Sequence, residues 1–219
     1  ARDKPPHPPD VELTVTTSPS VMRMFRDKSV WILSFGFFAG FGIFIGLTAI
    51  LEELLLSLGL PVTSGLGSPA IVMLLLLVMG IIGAILVPAI SEKVQKRKPF
   101  IIVCLAIASV AVFIVGTSTM EILTYIMSAV LGFFLIAVMP IGLSILEELD
   151  SVGPELSGAS TGLAFWFGNL GGFSASILLE LMRVGPSYFY SILYLFIAIA
   201  IATILMFFIP ETGHREAPT

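Results

Sequence analysis

The sequence predicts an all-α membrane protein whose six transmembrane helices form a single bundle. Apolar residues make up 57% of the 219 residues and charged residues only 12%, whereas a soluble domain carries about 25% charged residues. Mean hydropathy is +1.04, and six apolar stretches each approach or exceed the roughly 20 residues that a helix needs to cross a bilayer. None of the six alternates with the period of two that a membrane-spanning strand shows.

The six stretches divide the chain into a bundle and two tails. They occupy 30–51, 70–90, 99–117, 120–146, 157–182 and 187–209. We therefore expect a transmembrane bundle over 29–210 and a cytoplasmic tail over 211–219. Residues 1–28 are rich in Pro, Ser and Thr, lack the apolar region of a signal peptide, and suit an extended linker from an earlier part of a longer protein. The end of this linker, 25–28, is expected to form a short interfacial entry to the first helix.

The basic residues predict how the chain is oriented. Ten of the eleven Lys and Arg residues lie in segments that six crossings place on one side of the membrane, and Arg183 alone lies on the other side. Four of the ten cluster in the hinge at 91–99, between the second and third stretches. Because cytoplasmic loops collect Lys and Arg, we expect both termini and this hinge in the cytoplasm, and a multi-pass protein of the plasma membrane.

Internal similarity predicts two copies of a three-helix unit. The motifs GFF, IGL and ILEEL of the first helix recur in the fourth, 95 or 96 positions later. A G-x-x-G pair, followed nine residues on by Glu92, recurs 88 positions later with Glu180. Chance is the alternative, but three matches in order favour duplication. The copies are expected at about 29–117 and 119–210, and three crossings in each copy invert one relative to the other, which is typical of transporters.

The hinge carries a resemblance to a known family. SEKVQKRKPF at 91–100 is similar, through Glu92, Lys96, Arg97 and Lys98, to the loop signature of the major facilitator superfamily. Glu92 replaces the usual Asp, and no Gly occupies the start of the signature. PETG at 210–213 is similar to the Pro-Glu-Thr that closes many chains of this superfamily. The sequence thus resembles the C-terminal six-helix half of such a transporter, and Glu92 is expected to hold the inner loop.

Other segments resemble one branch of that superfamily more closely. KPPHPP, SFGFFAG, MPIGLSILEEL and PELSGASTGLAFWFGNLGG are similar to the feline leukaemia virus subgroup C receptor-related proteins and their prokaryotic relatives. The resemblance implies carriage of small organic solutes, notably choline and ethanolamine, with haem also proposed. It also implies two six-helix bundles around a central cavity. Since this chain supplies one bundle, a second bundle is expected as its partner, either an N-terminal half or a second copy.

Five residues are candidates for solute binding. The resemblance implies that the first and fourth helices line the cavity, and that Asn169 aligns with an amide in solute contact. Asn169 is also the only Asn or Gln within the six stretches, and an unpaired amide is costly in hydrocarbon. Trp166, Phe35 and Phe41 are further candidates, because aromatic faces attract ammonium groups. Met139 is a candidate because it precedes Pro140 in the middle of the fourth helix, where a bend at cavity depth is expected. Phe35 aligns with a cavity Tyr, whose hydroxyl is missing here. The alternatives are a helix–helix hydrogen bond for Asn169 and ordinary packing for the others.

Two pairs of carboxylates and one proline are candidates for gating. Glu52 and Glu53 are expected at the outer end of the first helix, and Glu147 and Glu148 at the inner end of the fourth. Each pair would contact the partner bundle when its own side closes. Solvated helix ends are the alternative. Pro140 removes a backbone hydrogen bond in mid-helix and is expected to bend it, either for gating or as a harmless kink.

The motifs that are absent restrict the function. No H-E-x-x-H motif occurs, and serines such as Ser144 and Ser174 have no His or Lys partner within the six stretches, so no enzyme is expected. The single Cys lies within the third stretch and the two His residues lie in the tails, so no set of metal ligands is available. Neither a cofactor nor a nucleic-acid partner is expected. No Lys, Arg or His lies within the stretches, which favours a cationic or neutral solute. We expect half of a secondary-active transporter that works by alternating access; the alternative is a non-transporting membrane scaffold or receptor on the same fold.

Overall fold

The computed structural model describes residues 18–60 and 68–213, and seven helices lie in these segments. They are α1 (Ser18–Arg26), α2 (Lys28–Ser57), α3 (Ser68–Val94), α4 (Lys98–Thr117), α5 (Glu121–Glu148), α6 (Gly153–Leu181) and α7 (Phe189–Met206). The last six are long and apolar enough to span a membrane, and no strand occurs in the described segments. The predicted all-α membrane fold is therefore confirmed.

Several helices extend beyond the apolar stretches of the sequence. α2 runs to Ser57 and so includes Glu52 and Glu53, while α3 runs to Val94 and takes up the first half of the predicted hinge. Residues 18–26, which the sequence placed in the linker, form α1 instead of an extended chain. Residues 1–17 and 214–219, with the rest of the linker and most of the tail, lie outside the described part of the chain.

The two ends of the bundle are defined by contacts between distant segments. At the hinge end, the loop between α3 and α4 contacts the last residue of α5, through Arg97 and Glu148. At the opposite end, which we call the far end, the last part of α2 contacts the segment between α6 and α7, through Glu53 and Arg183. The six long helices therefore run alternately up and down.

The packing of the helices shows the inverted repeat. The two most extensive helix pairs are α2 with α6 and α3 with α5, and α4 packs against both α5 and α7. In the predicted repeat, α2 corresponds to α5, α3 to α6 and α4 to α7. Replacing each helix by its counterpart converts the α2–α6 pair into the α5–α3 pair. The same exchange converts the α4–α5 contact into the α7–α2 contact, which is also present. The bundle is thus built from two inverted three-helix units, as predicted.

The repeated glycines lie at equivalent helix crossings. A Cβ atom on Gly171 would overlap the main-chain carbonyl of Phe38, where α6 crosses α2. A Cβ atom on Gly83 would overlap the carbonyl of Phe133, where α3 crosses α5. Both glycines end a G-x-x-G pair, and both carbonyls belong to a GFF motif. The sequence repeat therefore encodes one packing contact used twice, in which glycine lets two backbones touch.

Asp27 joins the start of α2 to the loop after α5. Its carboxylate accepts hydrogen bonds from the main-chain N–H of Ser29, at 2.8 Å, and from the hydroxyl of Ser151, at 2.6 Å. Partial burial alone would raise the pKa of Asp27, but the hydrogen bonds from Ser151 and Ser29 lower it below its ordinary value. An ionised Asp at this position caps the helix and favours its positive end.

Candidate functional site

A concave pocket of about 200 Å³ opens between α2 and α5, the first and fourth long helices. No polar side chain lines it. The lining residues are Gly40, Phe41, Phe44, Leu135, Ile136 and Met139. A Cβ atom on Gly40 would meet nothing within 4 Å, so this glycine faces open space. Two predicted solute-binding residues, Phe41 and Met139, are brought together here from opposite halves of the repeat.

The ring of Phe41 is held in place by α6. It makes an edge-to-face contact with Phe165, with 5.8 Å between the ring centroids. Phe165 also contacts Phe37, at 6.1 Å. A Cβ atom on Gly168 would lie 3.0 Å from the Phe41 ring, so the glycine provides the room for the ring. Phe41 is therefore a preorganised aromatic surface beside the pocket.

Asn169 is connected to this aromatic group through the backbone. Its side-chain N–H₂ donates to the carbonyl of Phe165 at 2.8 Å, one turn earlier on α6. The side chain is exposed, and its amide oxygen has no hydrogen-bond partner within 18–60 and 68–213. The Asn169 amide is thus exposed and bonded to its own helix, so it does not form the helix–helix hydrogen bond that was the alternative to solute binding. The oxygen remains available as an acceptor.

Pro140 adds a second acceptor near the pocket. α5 continues through Pro140 from Glu121 to Glu148, but proline has no N–H, so the carbonyl of Ile136 loses its helical donor. Ile136 and Met139 both line the pocket. The proline therefore leaves a main-chain acceptor without its helical donor beside the pocket, and a bend of α5 at Pro140 stays a prediction.

Three of the five predicted solute-binding residues are not among those that line the pocket: Asn169, Phe35 and Trp166. Phe35 stacks on Phe38, with centroids 5.9 Å apart, near the α2–α6 crossing. Trp166 is 61% exposed and contacts Phe167. Phe167 in turn contacts Trp31, whereas Phe165 contacts Phe41, so the two phenylalanines lie on different flanks of α6. Solute contact by Phe35 or Trp166 stays a prediction.

The far end carries a charged cluster that involves one of the predicted gating residues. Glu53 accepts hydrogen bonds from Arg183, at 2.8 Å, and from the hydroxyl of Tyr188, at 2.5 Å. Glu180 contacts the same two partners, both at 3.2 Å. The Arg183 guanidinium also lies over the Tyr188 ring, 4.8 Å from its centroid. Glu52 and Glu53 are both exposed, but Glu53 binds within its own bundle, whereas Glu52 forms no ion pair with residues of the described segments.

Tyr188 is the buried member of this cluster, with 2% of its surface exposed. Burial raises the pKa of Tyr188, and the hydrogen bond to Glu53 and the charge of Glu180 raise it further. In the unfolded chain the phenol has its ordinary pKa of about 10. The phenol therefore stabilises the fold fully below about pH 10, and this stabilisation is lost as pH rises toward the folded-state pKa.

Replacing Tyr188 with Phe is expected to flatten the fall in the free energy of unfolding above about pH 10, because no phenol proton is then retained by the fold. Denaturant unfolding in detergent micelles at several pH values measures this slope. Tyr190→Phe, which changes an exposed neighbour, is the matched control and should leave the slope unchanged. Equal slopes for the two variants would contradict the role given to Tyr188.

The hinge end is held by Glu148 and Glu211. Arg97 donates two hydrogen bonds to the Glu148 carboxylate, at 2.8 and 2.7 Å. Glu211 accepts the main-chain N–H groups of Arg97 and Lys98, at 2.7 and 3.1 Å, and so caps α4. The Lys98 ammonium donates to the carbonyl of Phe207 at 2.7 Å, at the end of α7. The hinge, α5 and the segment after α7 are thereby joined.

The remaining residues of the loop signature and of the inner gate lie at the surface. The Glu92 and Lys96 side chains are exposed and form no ion pair with residues of the described segments. The predicted role of Glu92 in holding the loop is filled by Ser91, whose hydroxyl donates to the carbonyl of Lys96 at 2.8 Å. Glu147 is exposed and accepts a hydrogen bond from Ser157 at 3.2 Å.

Sequence reasoning missed Tyr188, Glu180 and Glu211 as partners of the charged residues. One signal was available, because Arg183 is the single basic residue on its side of the membrane and had to find an acidic partner there. Glu211 lies in the PETG segment, which was recognised as a motif without a role. Nothing in the sequence indicates that Tyr188 is buried between two carboxylates.

The fold and the pocket define a class of protein: a membrane bundle of inverted triplets whose first and fourth helices face a shared cavity. The sequence model of the Major Facilitator Superfamily matches residues 1–176. The chain therefore belongs to the Major Facilitator Superfamily. Membership indicates an integral, multi-pass transporter for a small solute, and it implies a carrier without enzymatic activity.

Two relatives show how much of a whole protein this chain represents. It is 32% identical to an uncharacterised protein of Archaeoglobus fulgidus over 74% of this chain and 71% of that protein. It is 26% identical to solute carrier family 49 member A3 of Xenopus tropicalis over 80% of this chain but 37% of that protein. The chain thus matches well under half of the vertebrate protein and most of the archaeal one.

Proposed function

We propose that this chain is one half of a secondary-active transporter that carries a small cationic or neutral organic solute by alternating access. The observation that carries the proposal is the aromatic pocket between α2 and α5, which lies where two inverted repeats meet. The motifs quoted above support the receptor-related branch of the superfamily, and through it choline-like or ethanolamine-like amines as the first solutes to test.

The chemistry of the pocket favours an ammonium group. Phe41 and Phe44 offer aromatic rings, and aromatic faces attract cations by about 0.5 to 2 kcal/mol. The amide oxygen of Asn169 and the carbonyl of Ile136 are acceptors for N–H or O–H groups. No side chain with a positive charge lines the pocket, so an anionic solute would meet nothing that neutralises it.

A second six-helix bundle completes the cavity. The pocket is open on one side and small compared with the 300 to 1,000 Å³ or so of ordinary ligand sites, as expected for half of a site. The partner is either an N-terminal half in a longer chain or a second copy. Rocking of the two bundles about the bound solute then exposes it to each side in turn.

The charged clusters divide the predicted gating residues into two groups. Glu53 and Glu148 hold the ends of their own bundle together through Arg183 and Arg97, which keeps the bundle rigid while it rocks. The exposed Glu52 and Glu147 are the members left to contact the partner bundle. The hinge end faces the cytoplasm of a plasma-membrane protein, since it carries the basic residues.

Phe41→Leu and Asn169→Leu are expected to reduce uptake of labelled choline or ethanolamine about tenfold or more. The physical reason is the loss of a cation–π contact or of an acceptor, each worth about 1 to 2 kcal/mol. Asn169→Leu should leave the melting temperature unchanged, and Phe41→Leu should lower it only slightly, through the lost ring contact with Phe165. Uptake into proteoliposomes with the second bundle present measures this, beside a melt followed by circular dichroism. Phe208→Leu, at a 72% exposed ring after α7, is the control.

The same experiment distinguishes a carrier from a scaffold. If amines and neutral metabolites neither enter the vesicles nor raise the melting temperature of the complete assembly, the protein is a non-transporting scaffold or receptor. If uptake occurs but Phe41→Leu and Asn169→Leu match the control, transport uses a different surface and the pocket assignment is wrong.

A further inference from the structure

The short helix α1 attaches to the bundle along one stripe and leaves a second apolar stripe uncovered. Val21 and Met24 pack against the core, and Met24 is 1% exposed. Met22 and Phe25, which are also three residues apart, are 55% and 39% exposed. Residues three apart share a helix face. α1 therefore presents apolar side chains away from the bundle, beside the first turn of α2.

A third stripe of α1 is basic. Arg23 and Arg26 are exposed, lie three residues apart, and form no ion pair with any residue of the described segments. At 100° per residue, their stripe lies roughly opposite the one that contacts the bundle, with the apolar stripe between the two. Lys28 is exposed just beyond. The nearby Asp27 is occupied by Ser29 and Ser151.

Trp31 continues the uncovered apolar stripe onto α2. It is 43% exposed, its indole N–H donates to the carbonyl of Phe25 at 2.8 Å, and its ring lies 6.0 Å from that of Phe25. α2 is a candidate membrane span that begins at Lys28, so Trp31 lies one turn inside the span. Tryptophan is enriched at this depth, where hydrocarbon meets headgroups.

We propose that α1 and Trp31 form an interfacial anchor that selects anionic phospholipids, with Arg23 and Arg26 binding the headgroup phosphates. A helix with one apolar and one basic stripe lies in the plane of the membrane surface with its apolar side toward the acyl chains. The apolar stripe continues into the exposed Trp31 at the start of a candidate membrane span, at the depth where hydrocarbon meets headgroups, which assigns it to lipid. Arg23 and Arg26, which form no ion pair within 18–60 and 68–213, supply the selectivity, since each basic group near an anionic surface gains from it.

This anchor is separate from the solute pocket. Trp31 contacts Phe167 on one flank of α6, whereas the pocket ring Phe41 contacts Phe165 on another. The lipid site therefore does not depend on the proposed function, and a protein that failed to transport could still show it.

Fluorescence quenching of Trp31 by brominated lipids tests the proposal. The chain has two tryptophans, so Trp166→Phe leaves Trp31 as the only one. The protein is reconstituted in mixtures of neutral and anionic phospholipid in which one or the other is brominated. We expect Trp31 to be quenched, with an apparent preference for the anionic lipid of about threefold or more at low salt. High salt should weaken the preference.

The variants assign the effect to named residues. Arg23→Gln with Arg26→Gln should reduce the preference to about one while quenching by neutral lipid persists, and lysine at both positions should restore it. Lys93→Gln removes an exposed charge at the same end of the bundle, on α3, which is not among the helices that α1 mainly packs against, and should change nothing. The proposal would be overturned if Trp31 were not quenched, if it showed no preference for anionic lipid, or if the preference survived loss of both arginines. The absence of quenching or of a preference would instead favour an acidic protein as the partner.

Discussion

Gly171→Ala is expected to lower the free energy of unfolding of the bundle by about 3 kcal/mol, the upper part of the range for overpacked cores. The added methyl would overlap the carbonyl of Phe38, which belongs to the backbone and cannot turn aside as a side chain can. α2 and α6 would have to move apart along the crossing that makes the most extensive contact in the bundle. Unfolding of the purified protein in mixed detergent micelles measures the change.

The same helix offers a matched control. A Cβ atom on Gly162 would meet nothing within 4 Å, so Gly162→Ala should leave stability unchanged or raise it by up to about 1 kcal/mol through the loss of glycine's unfolded-state freedom. If the two halves use the same kind of close backbone contact, Gly83→Ala should lower the free energy of unfolding by about as much as Gly171→Ala. Equal effects of Gly171→Ala and Gly162→Ala would show that the crossing is not a close backbone contact.

Arg97→Ala is the second large effect expected, with a loss of about 3 kcal/mol in the free energy of unfolding. The Arg97 and Glu148 side chains are 14% and 17% exposed, so removal of the guanidinium leaves a largely buried carboxylate without its partner. The loss should appear in the same unfolding measurement. It should also loosen the hinge from α5, because the side-chain link to Glu148 is lost, whereas the main-chain N–H of residue 97 can still donate to Glu211.

Two further variants separate this ion pair from a general charge effect. Exchanging the residues, as Arg97→Glu with Glu148→Arg, should recover part of the loss, since opposite charges again face each other. Glu147→Gln neutralises the adjacent, exposed carboxylate and should cost less than about 0.5 kcal/mol. An Arg97→Ala protein as stable as Glu147→Gln would mean that the pair contributes nothing to the hinge end.

The fold could be predicted from the sequence because the membrane restricts the possibilities. Length and hydropathy locate the six spans, and the repeated G-x-x-G and GFF motifs indicate the inverted triplets before any contact is known. The close backbone contacts at Gly83 and Gly171 were not predicted and are seen only in the structure. Helix ends were less predictable, since α2 continues for six residues beyond its apolar stretch to Ser57. The end of α2 could not be predicted from hydropathy because charged residues at a membrane surface are found both within helices and beyond their ends.

The site was predicted only in part, for a geometric reason. Phe41 and Met139 were both expected in the cavity and do line one pocket. Phe35 lies six residues before Phe41, which turns it by about 240° around α2 and away from the pocket. The identity of the ionic partners could not be predicted, because Glu53 and Arg183 are 130 positions apart and meet only through the fold; the sequence indicated no more than that Arg183 is the single basic residue on its side.

The most direct test of the account is the reactivity of a cysteine placed at position 40 by Gly40→Cys. Gly40 lines the pocket and faces open space, and the native Cys104 is 1% exposed and should not interfere. With the second bundle present, a membrane-impermeant thiol reagent is expected to reach this cysteine from either side of the membrane, and a transported amine should slow the reaction. A cysteine that reacts from neither side, or from one side only and at a rate no solute alters, would contradict the claim that α2 and α5 enclose half of a solute pathway.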